Sequence, residues 1–314
     1  MKQVIAFILS LAIMVVIFLG VDVSQFARYL GEMNIGLLIF GIFFFVPQIA
    51  LSAWRWQMMV RSQVAIGFWD ATGLVLSANA LNILLPSRMG DLSKAYFLQR
   101  EGKIDLKRAM NIVIFEKYID FAALGVVVLV GILCYPMQDQ ASWIGLLFSL
   151  TVLGLFPVLY FITLDGVWGR SLWQRYRLLD QTKHFLLDTQ DYLAELKNNP
   201  RLLLVILVMT VVLWFVHLLQ FYVIFLALNS GVSVFLVFRL VPLAILVGLI
   251  PITIAGVGTR DSAMIYFFSP YEQTARIVGI GLFASFRYFV PGLLGLPFLN
   301  HYVTKEKPQS RPEL

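Results

Sequence analysis

Charge is scarce in this 314-residue sequence. Only 13% of its residues are charged and 60% are hydrophobic, whereas about 25% of the residues of a soluble domain carry charge. A large soluble catalytic domain is therefore excluded. Because a membrane-spanning helix needs roughly 20 apolar residues, the chain has room for about six to ten membrane segments joined by short connections.

Residues that bind metals or perform covalent chemistry are equally sparse. Cys134 is the only cysteine, and His184, His217 and His301 are the only histidines. A disulfide scaffold is excluded, and a thiolate or histidine metal site is not expected. The sequence also has no glycine-rich nucleotide loop, no HExxH motif and no serine nucleophile elbow. We therefore expect no metal, no cofactor and no enzymatic activity.

The net charge of +6 is consistent with either nucleic acid or a membrane surface as partner. In a membrane protein an excess of basic residues marks the cytoplasmic loops that face anionic lipid. We therefore expect membrane lipids with anionic headgroups as partners, and no nucleic acid.

Unbroken apolar stretches predict six spanning helices. They cover residues 4–20, 35–60, 109–135, 142–164, 202–228 and 277–302. Two further apolar stretches, 67–97 and 234–268, are interrupted at 85–91 and at 250–261. Proline removes a helix donor and glycine loosens the backbone, so we expect the helices to stop at both interruptions.

The distribution of lysine and arginine predicts how the two interrupted stretches lie. If both turn back, 16 of the 24 basic residues fall on the cytoplasmic side and only Arg28 lies in the opposite loops, as expected for short loops. If the first stretch crossed instead, the basic residues between Arg100 and Arg108 would face outward. We therefore predict two re-entrant hairpins, with cytoplasmic termini, in a cell membrane of the bacterial inner-membrane type.

That topology contains an inverted repeat, with repeat 1 at about 4–135 and repeat 2 at about 141–303. Asp91 and Asp261 lie 170 residues apart, and Arg108 and Arg276, each opening the next helix, lie 168 apart. A Tyr-Phe pair follows each aspartate at the same step. Inverted repeats with broken helices are a transporter architecture, with the substrate site near the midplane. The predicted fold is a single all-α integral membrane bundle over residues 1–314.

The segment 167–200 differs from the rest because it is rich in charge. Leucines recur in it every seven residues, at Leu172, Leu179, Leu186 and Leu193. This pattern predicts an amphipathic helix on the cytoplasmic surface. Two interpretations stay open: a solvated connector between the repeats, or a docking surface for a cytoplasmic or membrane enzyme.

The two interruptions are the first candidate site. Each precedes a new helix, whose N-terminus carries about half a positive charge, and Arg88 or Arg260 adds a full charge in the same turn. Phosphate is the natural occupant of such a site. In the alternative interpretation, Asp91 and Asp261 cap the helices and pair with the arginines. The candidate substrate-binding residues are Arg88, Gly90, Asp91, Gly256, Gly258, Arg260 and Asp261.

A second cluster of charge is predicted near the middle of the membrane. Glu116 and Asp120 lie on one helix face, about 12 and about 18 Å from the interface at 1.5 Å per residue, and Arg287 reaches about 17 Å from the other side. Lys117 lies beside them in the sequence. The cluster is either an interhelical ion pair that joins the repeats or a site for a headgroup or a coupled proton.

Weaker signals are interpreted as structural. Five polar residues within apolar stretches are expected to form interhelical hydrogen bonds rather than to bind ligands. They are Gln48, Asn79, Asn82, His217 and Gln220. Trp54, Arg55, Trp56 and Arg61 resemble an anchor at the membrane interface, with the arginines extended toward water.

Three short motifs in this order, at 85–91 (LPSRMGD), 115–120 (FEKYID) and 250–261, resemble those of the lysylphosphatidylglycerol synthase transmembrane region, also called the flippase-like domain family. The resemblance covers nearly the whole chain. It implies a lipid-flipping membrane domain, found alone or fused to a cytosolic aminoacyltransferase. Because the chain ends at Leu314, we expect no transferase. The family often has glutamate where Asp91 and Asp261 stand here.

The leading hypothesis from the sequence is a translocase for an anionic phospholipid or a polyprenyl-phosphate-linked lipid. Its headgroup would be held between Arg88 and Arg260. One alternative is a proton-coupled carrier of a small anion that uses Glu116 and Asp120. Another is a non-catalytic membrane subunit of a lipid- or glycan-modifying enzyme. A homo-oligomer is compatible with each of these hypotheses.

Overall fold

A computed structural model describes residues 2–134, 140–164, 192, 195–196, 198–250 and 252–304. Over these residues the fold is all-α and contains no strand, which confirms the predicted class. The helices are α1 Lys2–Leu19, α2 Val23–Gly31, α3 Ile35–Phe43, α4 Phe45–Val60, α5 Phe68–Leu84, α6 Ser93–Arg100, α7 Leu106–Cys134, α8 Gln140–Leu164, α9 Pro200–Ala227, α10 Val234–Gly248, α11 Thr259–Phe268 and α12 Thr274–Thr304.

The longest helices are apolar enough to cross a membrane. Four segments meet this test by length and composition: Ile35–Val60, formed by α3 and α4 together, Leu106–Cys134, Pro200–Ala227 and Thr274–Thr304. The pair α1 and α2, bent by 94°, would be a fifth. The chain is thus a multi-pass membrane protein. Helix α8 covers the predicted span 142–164, and the full arrangement of six spans and two re-entrant hairpins stays a prediction.

Both predicted interruptions stop their helices. Helix α5 ends at Leu84, and a 3₁₀ segment, Pro86–Leu92, leads into α6. Helix α10 ends at Gly248, and a second 3₁₀ segment, Ile254–Gly256, precedes α11. We call these two regions, 85–92 and 249–258, the first and the second break.

The second break has a backbone that favours glycine. Ala255, Gly256 and Gly258 have φ angles of 52°, 72° and 94°. Side chains other than glycine are disfavoured in this left-handed region, so the two glycines allow the chain to reverse before α11. Ala255 is held there by its surroundings despite its Cβ atom.

The helix that precedes each break packs against the long helix that follows the other break. The helix before the first break, α5, packs along α12, and the helix before the second break, α10, packs along α7. In addition, the two breaks contact each other. This exchange of partners is what a pseudo-twofold relation between two repeats would produce, although the repeat boundaries stay a prediction.

Glycines allow the close approach of these helices. A Cβ atom at Gly295 would overlap the carbonyl oxygen of Leu76, and one at Gly292 would overlap the Ile83 side chain. On the reciprocal pair, a Cβ at Gly131 would lie 2.8 Å from the backbone nitrogen of Arg239. Small residues permit close backbone packing between membrane helices. We call the contact of α5 with α12 the glycine seam.

The predicted amphipathic segment 167–200 lies outside the described residues except for 192, 195–196 and 198–200. Tyr192 is buried and its hydroxyl donates a hydrogen bond of 3.0 Å to the carbonyl oxygen of Met59. Leu196 is also buried in the same core cluster. The end of this segment therefore packs against the end of α4.

The glycine seam yields a stability prediction. Gly295→Ala forces α5 and α12 apart, and overpacking of this kind destabilises a protein by about 1–3 kcal/mol. We expect a lower temperature of thermal unfolding in detergent. Gly154→Ala in α8 is the matched control because nothing lies within 4 Å of the added Cβ, and alanine favours helix by about 1 kcal/mol. Equal unfolding temperatures for the two variants would contradict the close packing of α5 against α12 at the glycine seam.

Candidate functional site

A polar cavity of about 80 Å³ lies inside the helix bundle. Helices α4, α5, α6, α7, α9 and α12 all contribute to its wall. We call it the charged cavity. Its charged and polar lining residues are Gln48, Ser52, Arg55, Asn79, Asn82, Asp91, Lys94, Glu116, Lys117, Asp120, Trp214, His217, Arg287 and Tyr288.

Arg55 bridges two carboxylates at one side of this cavity. Its Nη2 atom lies 2.9 Å from Glu116 Oε1, and its Nη1 atom lies 2.6 Å from Asp120 Oδ1. Nη1 also donates to Thr210 Oγ1 at 3.1 Å. Only 3% of the Arg55 side chain is exposed. The i, i+4 spacing on α7 places both carboxylates on the face that meets α4, as the sequence predicted.

Two lysines complete the network. Lys94 on α6 forms an ion pair with the second oxygen of Glu116, and its Nζ atom lies 4.4 Å from the centre of the Trp56 ring. Lys117 pairs with Asp91 of the first break and lies 3.7 Å from Asp120. The network therefore connects the first break to α4, α6 and α7.

Arg287 lies in the same cavity but faces different neighbours. Its Nη2 atom is 3.0 Å from His217 Nδ1. Its guanidinium carbon lies 4.8 Å from the centre of the Phe221 ring and 5.0 Å from that of Tyr288. The predicted cluster of Glu116, Lys117, Asp120 and Arg287 thus lines one cavity, while Arg55 bridges its carboxylates.

The interpretation of Arg55 as an interfacial anchor was wrong. Arg55 is only 3% exposed and faces the charged cavity instead of the membrane surface, whereas Arg61, six residues later, is exposed. A signal for this was present in the sequence. Gln48, Ser52 and Arg55 follow an i, i+4, i+7 pattern, which places three polar side chains on one face of an apolar helix. All three line the charged cavity.

At the first break, the predicted site residues pack tightly. Gly90 is buried, and a Cβ atom there would lie 2.5 Å from the carbonyl oxygen of Ala78. Asp91 accepts a hydrogen bond of 3.1 Å from Asn82 Nδ2. Gly90 therefore allows the break to lie against α5, and Asp91 is held between α5 and Lys117. The side chain of Arg88 lies outside the described part of the chain.

At the second break, Asp261 both caps its helix and pairs with Arg260. The backbone N–H of Gly258 donates to Asp261 Oδ2 at 3.0 Å, and Arg260 Nε donates to Asp261 Oδ1 at 3.0 Å. Arg260 Nη2 also donates at 2.9 Å to the carbonyl oxygen of Gly281 and to Ser285 Oγ. These contacts favour the capping and pairing interpretation here. Direct contact between Arg260 and an anion stays a prediction.

A second and much smaller cavity, of about 20 Å³, lies beside the second break. Its wall includes Gly248, Gly256 and the buried Arg260. Asn79, Asn82 and Tyr288 line both this cavity and the charged cavity. We call it the second-break cavity. The remaining residues in its wall are Ile83, Ile245, Leu249 and Ala255.

No metal centre is found among the residues that the structure describes. In those ranges no three His, Cys, Asp or Glu side chains are grouped so that they could hold a metal ion. The three cavity carboxylates instead face basic side chains. The chemistry of the site is therefore that of charge pairing and hydrogen bonding.

Because Arg55 is buried in ion pairs, its replacement should reduce stability more than replacement of an exposed arginine. Removing one partner of a buried ion pair leaves an uncompensated charge and costs about 3–5 kcal/mol. We expect Arg55→Leu to lower the unfolding temperature strongly in detergent, and Arg55→Leu combined with Glu116→Gln to recover part of the loss. Arg61→Leu, at the exposed end of the same helix, should change little. Similar losses for the two single variants would refute this role.

Comparisons with known proteins place the chain in a family. The family model for the lysylphosphatidylglycerol synthase TM region matches residues 3–295. A UPF0104 membrane protein of Methanothermobacter thermautotrophicus is 24% identical over 286 residues, which cover 82% of this chain and 84% of that protein. A UPF0104 membrane protein of Methanocaldococcus jannaschii is 27% identical over an alignment of 320 residues, which covers 93% of this chain and 91% of that protein. The chain belongs to the lysylphosphatidylglycerol synthase transmembrane region family.

Proposed function

We propose that this protein moves lipids with an anionic headgroup between the leaflets of a cell membrane. The observation that carries the proposal is a cavity lined with seven charged residues inside a bundle whose buried residues are mostly apolar. Charged residues within a membrane segment are expensive to keep and mark substrate or ion pathways. The lipid tails would stay in the bilayer while the headgroup occupies the charged cavity.

The charges that line the cavity favour an anion. Four basic side chains, Arg55, Lys94, Lys117 and Arg287, face three acidic ones, Asp91, Glu116 and Asp120. With all seven ionised, the wall carries one positive charge more than it carries negative. A phosphate group would balance that charge, and arginine and lysine are its usual partners.

The most accessible cation in the network is Lys117. Its side chain is 34% exposed, whereas those of Arg55 and Lys94 are 3% exposed. A headgroup phosphate can therefore reach Lys117 more readily than it can reach Arg55 or Lys94. Arg287 faces the same space from α12. We propose Lys117 and Arg287 as the residues that contact the headgroup.

In this proposal the two breaks help to form the wall around the substrate. Broken helices that face each other between inverted repeats surround the substrate in many transporters. Arg260 would hold α11 in place at the second break through its hydrogen bonds and its ion pair with Asp261, and Arg88 would act at the first break. The family description, which refers to a phospholipid synthase, also favours a lipid as cargo.

A reconstitution experiment tests the headgroup site. We expect liposomes containing the protein to move a fluorescent phosphatidylglycerol between leaflets. The measurement is the loss of the inner-leaflet fluorescence to a membrane-impermeant quencher, which protein-free liposomes retain. Lys117→Gln with Arg287→Gln should slow this movement strongly because both cations that face the headgroup are lost. Arg88→Gln tests the first break separately.

Arg201→Gln is the matched control, since Arg201 is an exposed arginine at the start of α9. It should move lipid at the parental rate. If the double variant moved lipid at the parental rate, the assignment of the headgroup site to the charged cavity would be wrong. If the parent protein moved no anionic lipid at all, the proposed function would be wrong.

A small soluble anion is the second candidate cargo, since Glu116 and Asp120 line the same cavity as the cations. In that function, uptake of an anion such as phosphate into sealed vesicles would follow an imposed pH gradient, and no lipid would cross. Uptake without lipid movement would therefore favour the carrier over the flippase.

A further inference from the structure

His217 is a titratable residue in the wall of the charged cavity, and it faces a cation. Its Nδ1 atom lies 3.0 Å from Nη2 of Arg287. A guanidinium has only N–H donors and stays charged, so Nδ1 must accept this hydrogen bond. A protonated imidazole has a donor on both nitrogens and cannot accept. The contact with Arg287 therefore requires a neutral His217 whose proton is on Nε2.

Aromatic rings surround this pair. The ring of Trp214, one turn earlier on α9, has its centre 5.3 Å from that of His217. The guanidinium carbon of Arg287 lies 4.8 Å from the ring centre of Phe221 and 5.0 Å from that of Tyr288. Such rings attract a cation through their quadrupole but carry no net charge. They would therefore not neutralise a second positive charge on His217.

The ionisable groups near His217 come from several helices. Those that share its cavity are Arg55 on α4, Lys94 on α6, Glu116, Lys117 and Asp120 on α7, Arg287 and Tyr288 on α12, and Asp91 of the first break. Of the other helices that pack on α9, α3 has no titratable residue, and the only one on α10, Arg239, donates to the Tyr271 hydroxyl at 3.3 Å. The three carboxylates of the cavity pair with basic side chains. Histidine is the residue type whose charge ordinarily changes between about pH 5 and 8.

Protonation of His217 changes the wall of the cavity in two ways. The hydrogen bond from Arg287 is lost, and the net charge of the wall rises from one positive to two. Two cations in contact inside a membrane protein repel each other strongly, because the dielectric constant there is low. An anion bound between them removes that repulsion, and phosphate oxygens accept hydrogen bonds from both imidazolium and guanidinium groups.

We infer that His217 couples proton uptake to the binding of a phosphate-bearing anion in the charged cavity. The inference rests on the proposed function and names a positioning residue within it. With His217 neutral, its Nδ1 atom holds the guanidinium of Arg287. With a proton from solution on Nδ1, Arg287 is released and both cations face the phosphate; the proton returns to solution when the anion leaves. Because coupling between two ligands is reciprocal, the phosphate binds more tightly at acid pH.

Nitrogen NMR of the histidine rings tests the inference without requiring any lipid movement. The chain has three histidines, so ¹⁵N-labelled histidine gives three imidazole rings, and the signals missing from His217→Gln are those of His217. The chemical shifts of the two ring nitrogens distinguish the two neutral tautomers and the protonated ring. For the protein in detergent without added anion, we expect a neutral His217 with its proton on Nε2 at neutral pH.

The pH titration of His217 is then repeated with two probes, dihexanoyl phosphatidylglycerol and inorganic phosphate. We expect phosphatidylglycerol to raise the pH at which His217 takes up its proton by about one pH unit, which corresponds by linkage to about tenfold tighter binding to the protonated protein. Arg287→Gln should reduce this effect, since one of the two cations is lost. Arg201→Gln, at an exposed position on the same helix as His217, should not.

An unchanged titration with both probes overturns the inference, as does a ring with a proton on Nδ1 at neutral pH. A response to inorganic phosphate but not to the lipid keeps the role of His217 and contradicts a lipid as cargo. Glutamine can accept from Arg287 but does not take up a proton. Lipid movement that depends on pH equally in the parent and in His217→Gln would therefore contradict the coupling alone. Should His217→Gln fail to fold, His184→Gln with His301→Gln leaves His217 as the sole histidine for the same titration.

Discussion

The bridge from Arg55 to Glu116 and Asp120 is the interaction on which the charged cavity depends. A buried charge without a partner is costly, and more so in a membrane, so this one guanidinium fixes the distance between α4 and α7. Lys94 binds the remaining oxygen of Glu116 and thereby fixes α6. Since α6 directly follows the first break, the network also holds the break in place. Charge pairing therefore acts together with the apolar packing of α4, α6 and α7 to set the shape of this half of the cavity.

The second break is stabilised in a different way. Asp261 caps its own helix and pairs with the adjacent Arg260, which also binds Gly281 and Ser285 on α12. These charges satisfy one another locally. At the first break, by contrast, Asp91 pairs with Lys117 on another helix, and both line the cavity. The two breaks are similar in sequence, but the ion pair of the first lines the charged cavity, whereas that of the second holds α11.

The sequence was sufficient to predict those features whose signal lies within a short stretch of residues. Proline and glycine within apolar stretches predicted both breaks, and the i, i+4 spacing of Glu116 and Asp120 placed them on one face. It was insufficient where the partner is distant. Arg55 lies 61 residues before Glu116, and near a helix end flanked by tryptophans it matched the pattern of a surface anchor. Which cation meets which carboxylate depends on how helices pack, and no local pattern encodes that.

The glycine seam limits which part of the cavity wall can move. Gly292 and Gly295 bring α12 so close to α5 that an added Cβ would overlap the opposite helix. Helices in such contact cannot slide past each other without a clash, so we expect the pair to move as one body. Asn82 on α5 and Arg287 on α12 both line the charged cavity, so the wall that these two helices form keeps its shape. In the proposed function the seam is therefore the fixed side of the cavity, and a headgroup is admitted by changes elsewhere in the wall.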